Sequence, residues 1–142
     1  MNLSAKTEYA CLAMLQLAEE YTSGEPLQIR RIADEHGIPA RFLVQILLQL
    51  KGAGLVASTR GAAGGYHLTR SPEAISLADI INTIDPVTPP RPDAAPVSST
   101  AVRAIRAVWQ EIQAEEQRML EEVTLGDLVR QTQRAHEPTY QI

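Results

Sequence analysis

One cysteine, Cys11, occurs in the 142 residues, so an intramolecular disulfide is excluded. Aromatic residues make up only 4 %, with one Trp and one Phe, which leaves the core to aliphatic side chains. No apolar run approaches the roughly 20 residues needed to cross a bilayer, and Met1 to Lys6 lack the apolar stretch of a secretory leader. A cytoplasmic address with no membrane partner is the expectation. No Ser/His/Asp set, phosphate-binding loop, metal-ligand cluster or group of convergent carboxylates stands out, so an enzyme is not expected.

What is present is a 44 % apolar fraction, enough for the core of one domain with a long accessory element. The formal net charge of −4 hides a segregation. Between residues 30 and 70, six cations (Arg30, Arg31, Arg41, Lys51, Arg60 and Arg70) face two acids, Asp34 and Glu35, for a local +4. From Ser71 onward six arginines face eleven acids, for a local −5. Local potential, not the total, steers a polyanion, so the first segment is a candidate nucleic-acid surface.

Periodicity divides the chain further. Leu3, Thr7, Ala10, Met14, Leu17 and Tyr21 recur at helical steps after a Ser4 N-cap, and Thr22-Ser23-Gly24 breaks that first helix. A second helix is predicted from about Leu27, ending on Gly37 as a left-handed cap. Pro39 opens a third, with Phe42, Leu43, Ile46, Leu47 and Leu50 in an arc predicted to face the core and Arg41, Val44, Gln45 and Leu48 facing outward. Two β-compatible runs, 55–60 and 66–70, flank a glycine-rich loop and read as a hairpin. Ser76 with Asp79 forms a capping box for a fourth helix. Five prolines then mark an extended connector. A long helix follows over about 101–123, with the seam Val102, Ile105, Trp109, Ile112, Met119 and Val123, interrupted at Glu116. Thr124 and Asp127 cap a last helix, and the tail after Arg134 is expected to fray.

The predicted fold is therefore mainly α with a small β-hairpin: a winged helix-turn-helix plus a long C-terminal dimerisation helix. Its expected organisation is 1–84 winged domain, 85–100 Pro-rich connector, 101–134 dimerisation helix with the final short helix, and 135–142 tail. In such a fold the third helix lies in the DNA major groove and the wing reaches phosphates or the minor groove. Arg41 and Gln45, four residues apart, suit guanine and adenine edges, while Val44 and Leu48 suit a base or a protein contact. Arg60 suits the wing's reach, and Gly61, Gly64 and Gly65 allow close backbone approach and free N–H groups for phosphate. Arg30, Arg31, Ser4, Lys6 and Tyr9 are candidate phosphate contacts at helix starts. The seam is best explained by a second copy of the chain.

Several stretches together resemble the Rrf2 family of bacterial winged-helix regulators, of IscR, NsrR and CymR type. They are Leu3-Ser4-Ala5-Lys6-Thr7-Glu8-Tyr9-Ala10, Ile32-Ala33, Phe42-Leu43 to Leu50, Gly54-Leu55-Val56 leading to Arg60-Gly61, Gly64-Gly65-Tyr66-His67-Leu68 and Thr124-Leu125-Gly126-Asp127-Leu128. The resemblance implies a homodimer that controls promoters through a two-fold operator, with repression the expected sign. Members of the family often sense iron–sulfur status, nitric oxide or sulfur metabolism through an iron–sulfur cluster, held usually by three cysteines in the loop before the long helix, sometimes with a nearby histidine. Here residues 85–100 contain neither, and Arg103 and Arg106 stand where the resemblance would put the last cysteine and the histidine. Such clusters need thiolate donors, so no conventional cluster is expected and the effector stays open. A winged-helix module that binds and regulates a metabolic enzyme is the alternative; outward Val44 and Leu48 favour it, the basic segment and Arg60 oppose it.

Overall fold

The computed structural model describes residues 3–86 and 99–136 and consists of six α-helices and one two-stranded antiparallel hairpin among them. The helices are α1 (Ala5–Glu19), α2 (Ile29–His36), α3 (Ala40–Gly52), α4 (Leu77–Ile84), α5 (Thr100–Glu122) and α6 (Leu125–His136); the strands are β1 (Val56–Thr59) and β2 (Gly65–Leu68). Most of the expected connector, and the tail beyond His136, lie outside the described residues.

Most boundaries have a local cause. Ser4 caps α1 by accepting the Thr7 amide at 3.1 Å, and Thr7, Ala10, Met14 and Leu17 beneath it are buried as expected. The two ends of that stripe are not: Leu3 is exposed because it precedes the cap, and Tyr21 because it falls in a 3₁₀ turn (Tyr21–Ser23) that breaks the helical phase. The second helix starts later than Leu27. That residue exchanges two backbone hydrogen bonds with Tyr66, at 2.8 and 2.7 Å, and so acts as a third short strand against the wing. Gly37, with φ of 65°, stops α2 in the left-handed conformation that the sequence predicts. The wing strands are each shorter than expected, with register Val56↔Leu68 to Thr59↔Gly65.

The core lies where α1, α3, α4 and the wing meet. Met14, Ile32, Leu43, Ile46, Leu47, Leu50, Ile75 and Ile80 are fully buried there. Phe42 departs from the sequence reading: it sits at the rim of the α3 arc and is 42 % exposed.

The C-terminal helix is fastened to this body by backbone. Leu77 N–H donates to the Val123 carbonyl at 2.8 Å and Leu125 N–H to the Ile75 carbonyl at 2.9 Å, which pairs Ser76 with Thr124. Each of those residues caps its own helix. Ser76 and Asp79 close a reciprocal box on α4, and Thr124 and Asp127 one on α6. The Thr124 amide first, and Arg130 second, hold the Asp127 carboxyl below the usual carboxylate range. Arg130 also pairs with Glu73 at 2.6 Å, and Leu125 is driven into the core. Ahead of that fastened end, none of the 23 residues of α5 is buried.

Candidate nucleic-acid interface

The short turn His36-Gly37-Ile38-Pro39 sets α3 across α2, with Ile38 buried as its pivot and its N–H bonded to the Ala33 carbonyl at 3.0 Å. That anchoring leaves the opposite face of α3 in solvent. Arg41, Val44, Gln45 and Leu48 are all exposed, as the sequence reading places them, Leu48 at 55 %. At the first turn the Arg41 guanidinium carbon lies 5.0 Å from the centre of the Phe42 ring.

Side-chain hydrogen bonds add to the Leu27–Tyr66 pairing in holding the wing against the helices. Lys51, at the end of α3, donates to Ser58 Oγ on β1 at 2.8 Å. Gln28, just before α2, donates to the Ala62 carbonyl at the wing tip at 3.0 Å. Gln28, Arg31, Ala63 and Gly64 consequently line one open cleft, so the α2 start and the wing tip are neighbours. Sequence reasoning missed Gln28, and nothing local signals it, because its partner is 34 residues away.

Arg60 and Gly61 are exposed beside the loop, and Arg60 has no side-chain partner among the described residues. The other two wing glycines meet the expectation of close backbone approach, but Gly64 does not offer a free N–H. Gly64 is buried and its N–H is already given to the Gly61 carbonyl at 3.0 Å, so it is not free for phosphate. A Cβ there would lie 2.1 Å from the Thr59 carbonyl oxygen; at Gly65 it would lie 2.3 Å from that of Leu27. These glycines are required by backbone packing, which is what shapes the wing.

The remaining candidates divide. Arg30 and Lys6 are exposed. Arg31 is exposed too, yet it pairs with Glu20 at 3.4 Å. Ser4 spends its hydroxyl on the α1 cap, also donating to Thr7 Oγ1 at 2.9 Å. Tyr9 is partly buried against the core. The apolar seam of α5 lies mostly in solvent by contrast: Val102, Ile105, Trp109, Ile112 and Met119 are exposed at 37, 62, 62, 49 and 60 %, and Val123 is half-buried. Val108, 53 % exposed, widens this stripe and was legible in the same periodicity.

Comparison with known proteins gives the same picture. The family model of Rrf2, described as an iron-dependent transcriptional regulator, matches residues 3–131. A Mycobacterium tuberculosis chain named among the HTH-type transcriptional regulators is 40 % identical over 136 residues, covering 90 % of this chain and 81 % of the relative. The solved IscR of T. potens superposes with a TM-score of 0.82 at 28 % identity, covering 99 % of this chain and 94 % of its own. CymR of B. subtilis, titled the global cysteine regulator of that organism, gives 0.78 at 31 % identity, covering 92 and 97 %. These relatives are transcriptional regulators, not enzymes.

The family description implies iron, and the residues of this chain do not fit a thiolate-bound cluster. The lone cysteine sits on α1 packed against the core, and burial first, with the Glu8 charge second, pushes its thiol up to about 11, against the ionised form that ligates metal. Among the described residues no group of three or more His, Cys, Asp or Glu is placed to hold a metal ion. Also among them, no helix is long and apolar enough to cross a membrane. With its winged fold, its matched length and its relatives taken together, the chain belongs to the Rrf2 family of transcriptional regulators.

Proposed function

We propose that this chain is a sequence-specific DNA-binding repressor that acts as a homodimer on a two-fold operator in the bacterial cytoplasm, without a conventional iron–sulfur cluster. The observation that carries the reading is that Arg41 and Gln45 on the outer face of α3 and Arg60 on the wing are all exposed, within the segment 30–70 whose net charge is positive. Arginine and glutamine pair bidentately with guanine and adenine edges in the major groove, and an arginine at a wing suits a narrow minor groove. Arg30, Arg31 and Lys6 supply flanking charge for phosphates. The glycines serve the same end indirectly, by fixing the wing that carries Arg60.

Dimerisation follows from the seam of α5. Its apolar positions step by three and four residues, the spacing at which a second helix interdigitates. Repression is the natural sign, because a dimer seated across a promoter occupies the face that polymerase needs. The absence of a conventional cluster rests on the single cysteine and on loop 85–100, which has no cysteine or histidine.

The test is a fluorescence titration with duplex DNA from the chain's own upstream region. Binding should weaken steeply as salt rises, since phosphate neutralisation releases counterions. Arg60→Ala should cost more than ~1 kcal/mol of affinity. Salt-insensitive or absent binding removes the reading, and wild-type affinity in Arg60→Ala removes the wing assignment.

A further inference from the structure

We propose that Phe42 is a positioning residue for DNA reading, its exposed ring holding the Arg41 guanidinium in the pose that pairs with a guanine. The inference rests on the DNA-binding function proposed above and adds a residue that function does not need in order to exist.

Phe42 is an anomaly in its helix. Leu43, Ile46, Leu47 and Leu50 are each 0 % exposed, whereas the only phenylalanine of the chain keeps 42 % of its surface in water. A large apolar ring so placed is doing little for the core. What it does touch is Arg41, whose guanidinium carbon stands 5.0 Å from the ring centre, inside the roughly 6 Å range of a cation–π contact. Arg41 occupies the first turn of α3, the end of a recognition helix that reaches base edges. It forms no ion pair among the described residues that would compete for its charge.

The chemistry of the guanidinium makes the two contacts compatible. Its flat face stacks on an aromatic ring, while its N–H groups lie in the plane and point away along the edge. A stacked arginine can therefore still offer two parallel donors to guanine O6 and N7. An unstacked arginine gives up its rotamer freedom on binding; one already held by a ring gives up less, which strengthens binding only where that arginine is used. The effect should be confined to sequence-specific binding and should vanish when Arg41 is absent.

The experiment uses the full chain and a duplex selected by it from a random-sequence library, with an unselected random duplex as control. Affinities are measured for wild type, Arg41→Ala, Phe42→Leu, Phe42→Trp and the Arg41→Ala/Phe42→Leu double variant. Phe42→Leu keeps the apolar bulk and loses the π face; it should weaken the selected duplex roughly two- to fivefold and leave the random duplex unchanged. Phe42→Trp should stay at wild-type affinity. Phe42→Leu should add nothing in the Arg41→Ala background. Replacing single guanines by 7-deazaguanine should reveal one position in each half-site to which wild type is sensitive and both single variants less so. A Phe42→Leu chain that binds as wild type, an equal loss on the random duplex, a loss in Phe42→Trp as large as in Phe42→Leu, or full additivity with Arg41→Ala overturns the proposal. A wild-type chain that binds no duplex overturns the parent function and this inference with it, an outcome plainly distinct from the others.

Discussion

Helices α3 and α5 are both amphipathic, and their apolar stripes meet opposite fates. In α3, Leu43, Ile46, Leu47 and Leu50 vanish entirely into the winged domain. In α5, Ile105 and Trp109 each keep 62 % of their surface exposed, and no residue of the helix is buried. Charge divides along the same line, the segment around α3 being basic and that around α5 acidic. Periodicity therefore says that a helix has a partner but not whether the partner belongs to the same chain. The two stripes differ in where they lie: α3 is pinned between a tight turn and the wing, while α5 leaves its apolar stripe exposed and is tied to the body at its C-terminal end, by the paired caps at Ser76 and Thr124.

Two substitutions separate the two helices, and two further measurements probe the junction and the core beside them. Leu47→Ala should lower the stability of the folded chain by ~2–5 kcal/mol, because it opens a cavity in a fully packed site; urea unfolding should show the same loss at every protein concentration. Trp109→Ala should instead cost on the order of 2 kcal/mol of association, as an aromatic anchor at the middle of an interface does. Sedimentation should show dissociation with the winged domain still folded. If Trp109→Ala behaved as Leu47→Ala does, the α5 stripe would be packed within one chain and the contrast would fail.

A smaller effect is expected at the junction. Thr124→Ala removes the side chain that caps α6 and should cost ~1 kcal/mol, read as earlier exchange of the α6 amides while α3 stays protected. The smallest concerns Cys11, which marks the buried side of the comparison. Its thiol is raised from 9.0 to about 11, so the folded state favours the neutral form. That contribution is complete below pH 9 and is lost as pH rises toward 11. Alkylation of the native chain should accelerate only toward that upper value, whereas the urea-unfolded chain should react as an ordinary thiol. Equal profiles would place Cys11 in solvent.

Much of this was legible in the sequence because the causes were local. The Ser76 and Thr124 capping boxes, the Gly37 stop and the four buried leucine and isoleucine positions of α3 each depend on residues within a turn or two of one another. The seam residues were equally plain. What escaped depended on distant chain. Leu27 left its helix to bridge Tyr66, and Gln28 was drawn to Ala62 at the wing tip. Gly64 was read as an open donor, yet the turn itself gives its N–H to the Gly61 carbonyl. Phe42 failed for a different reason: it lies at the edge of the helical arc, where a single residue's angle does not distinguish core from rim. The Arg130 link to Glu73, 57 positions earlier, had no local signature at all.

The most direct measurement is the composition of the DNA complex. Sedimentation of the full chain with its selected duplex should give two chains per duplex, and the selected sequence should be two-fold symmetric, since in the proposed dimer two copies joined through α5 would each present one α3. One chain per duplex on an asymmetric sequence would contradict the claim that the exposed stripe of α5 exists to set two reading heads side by side.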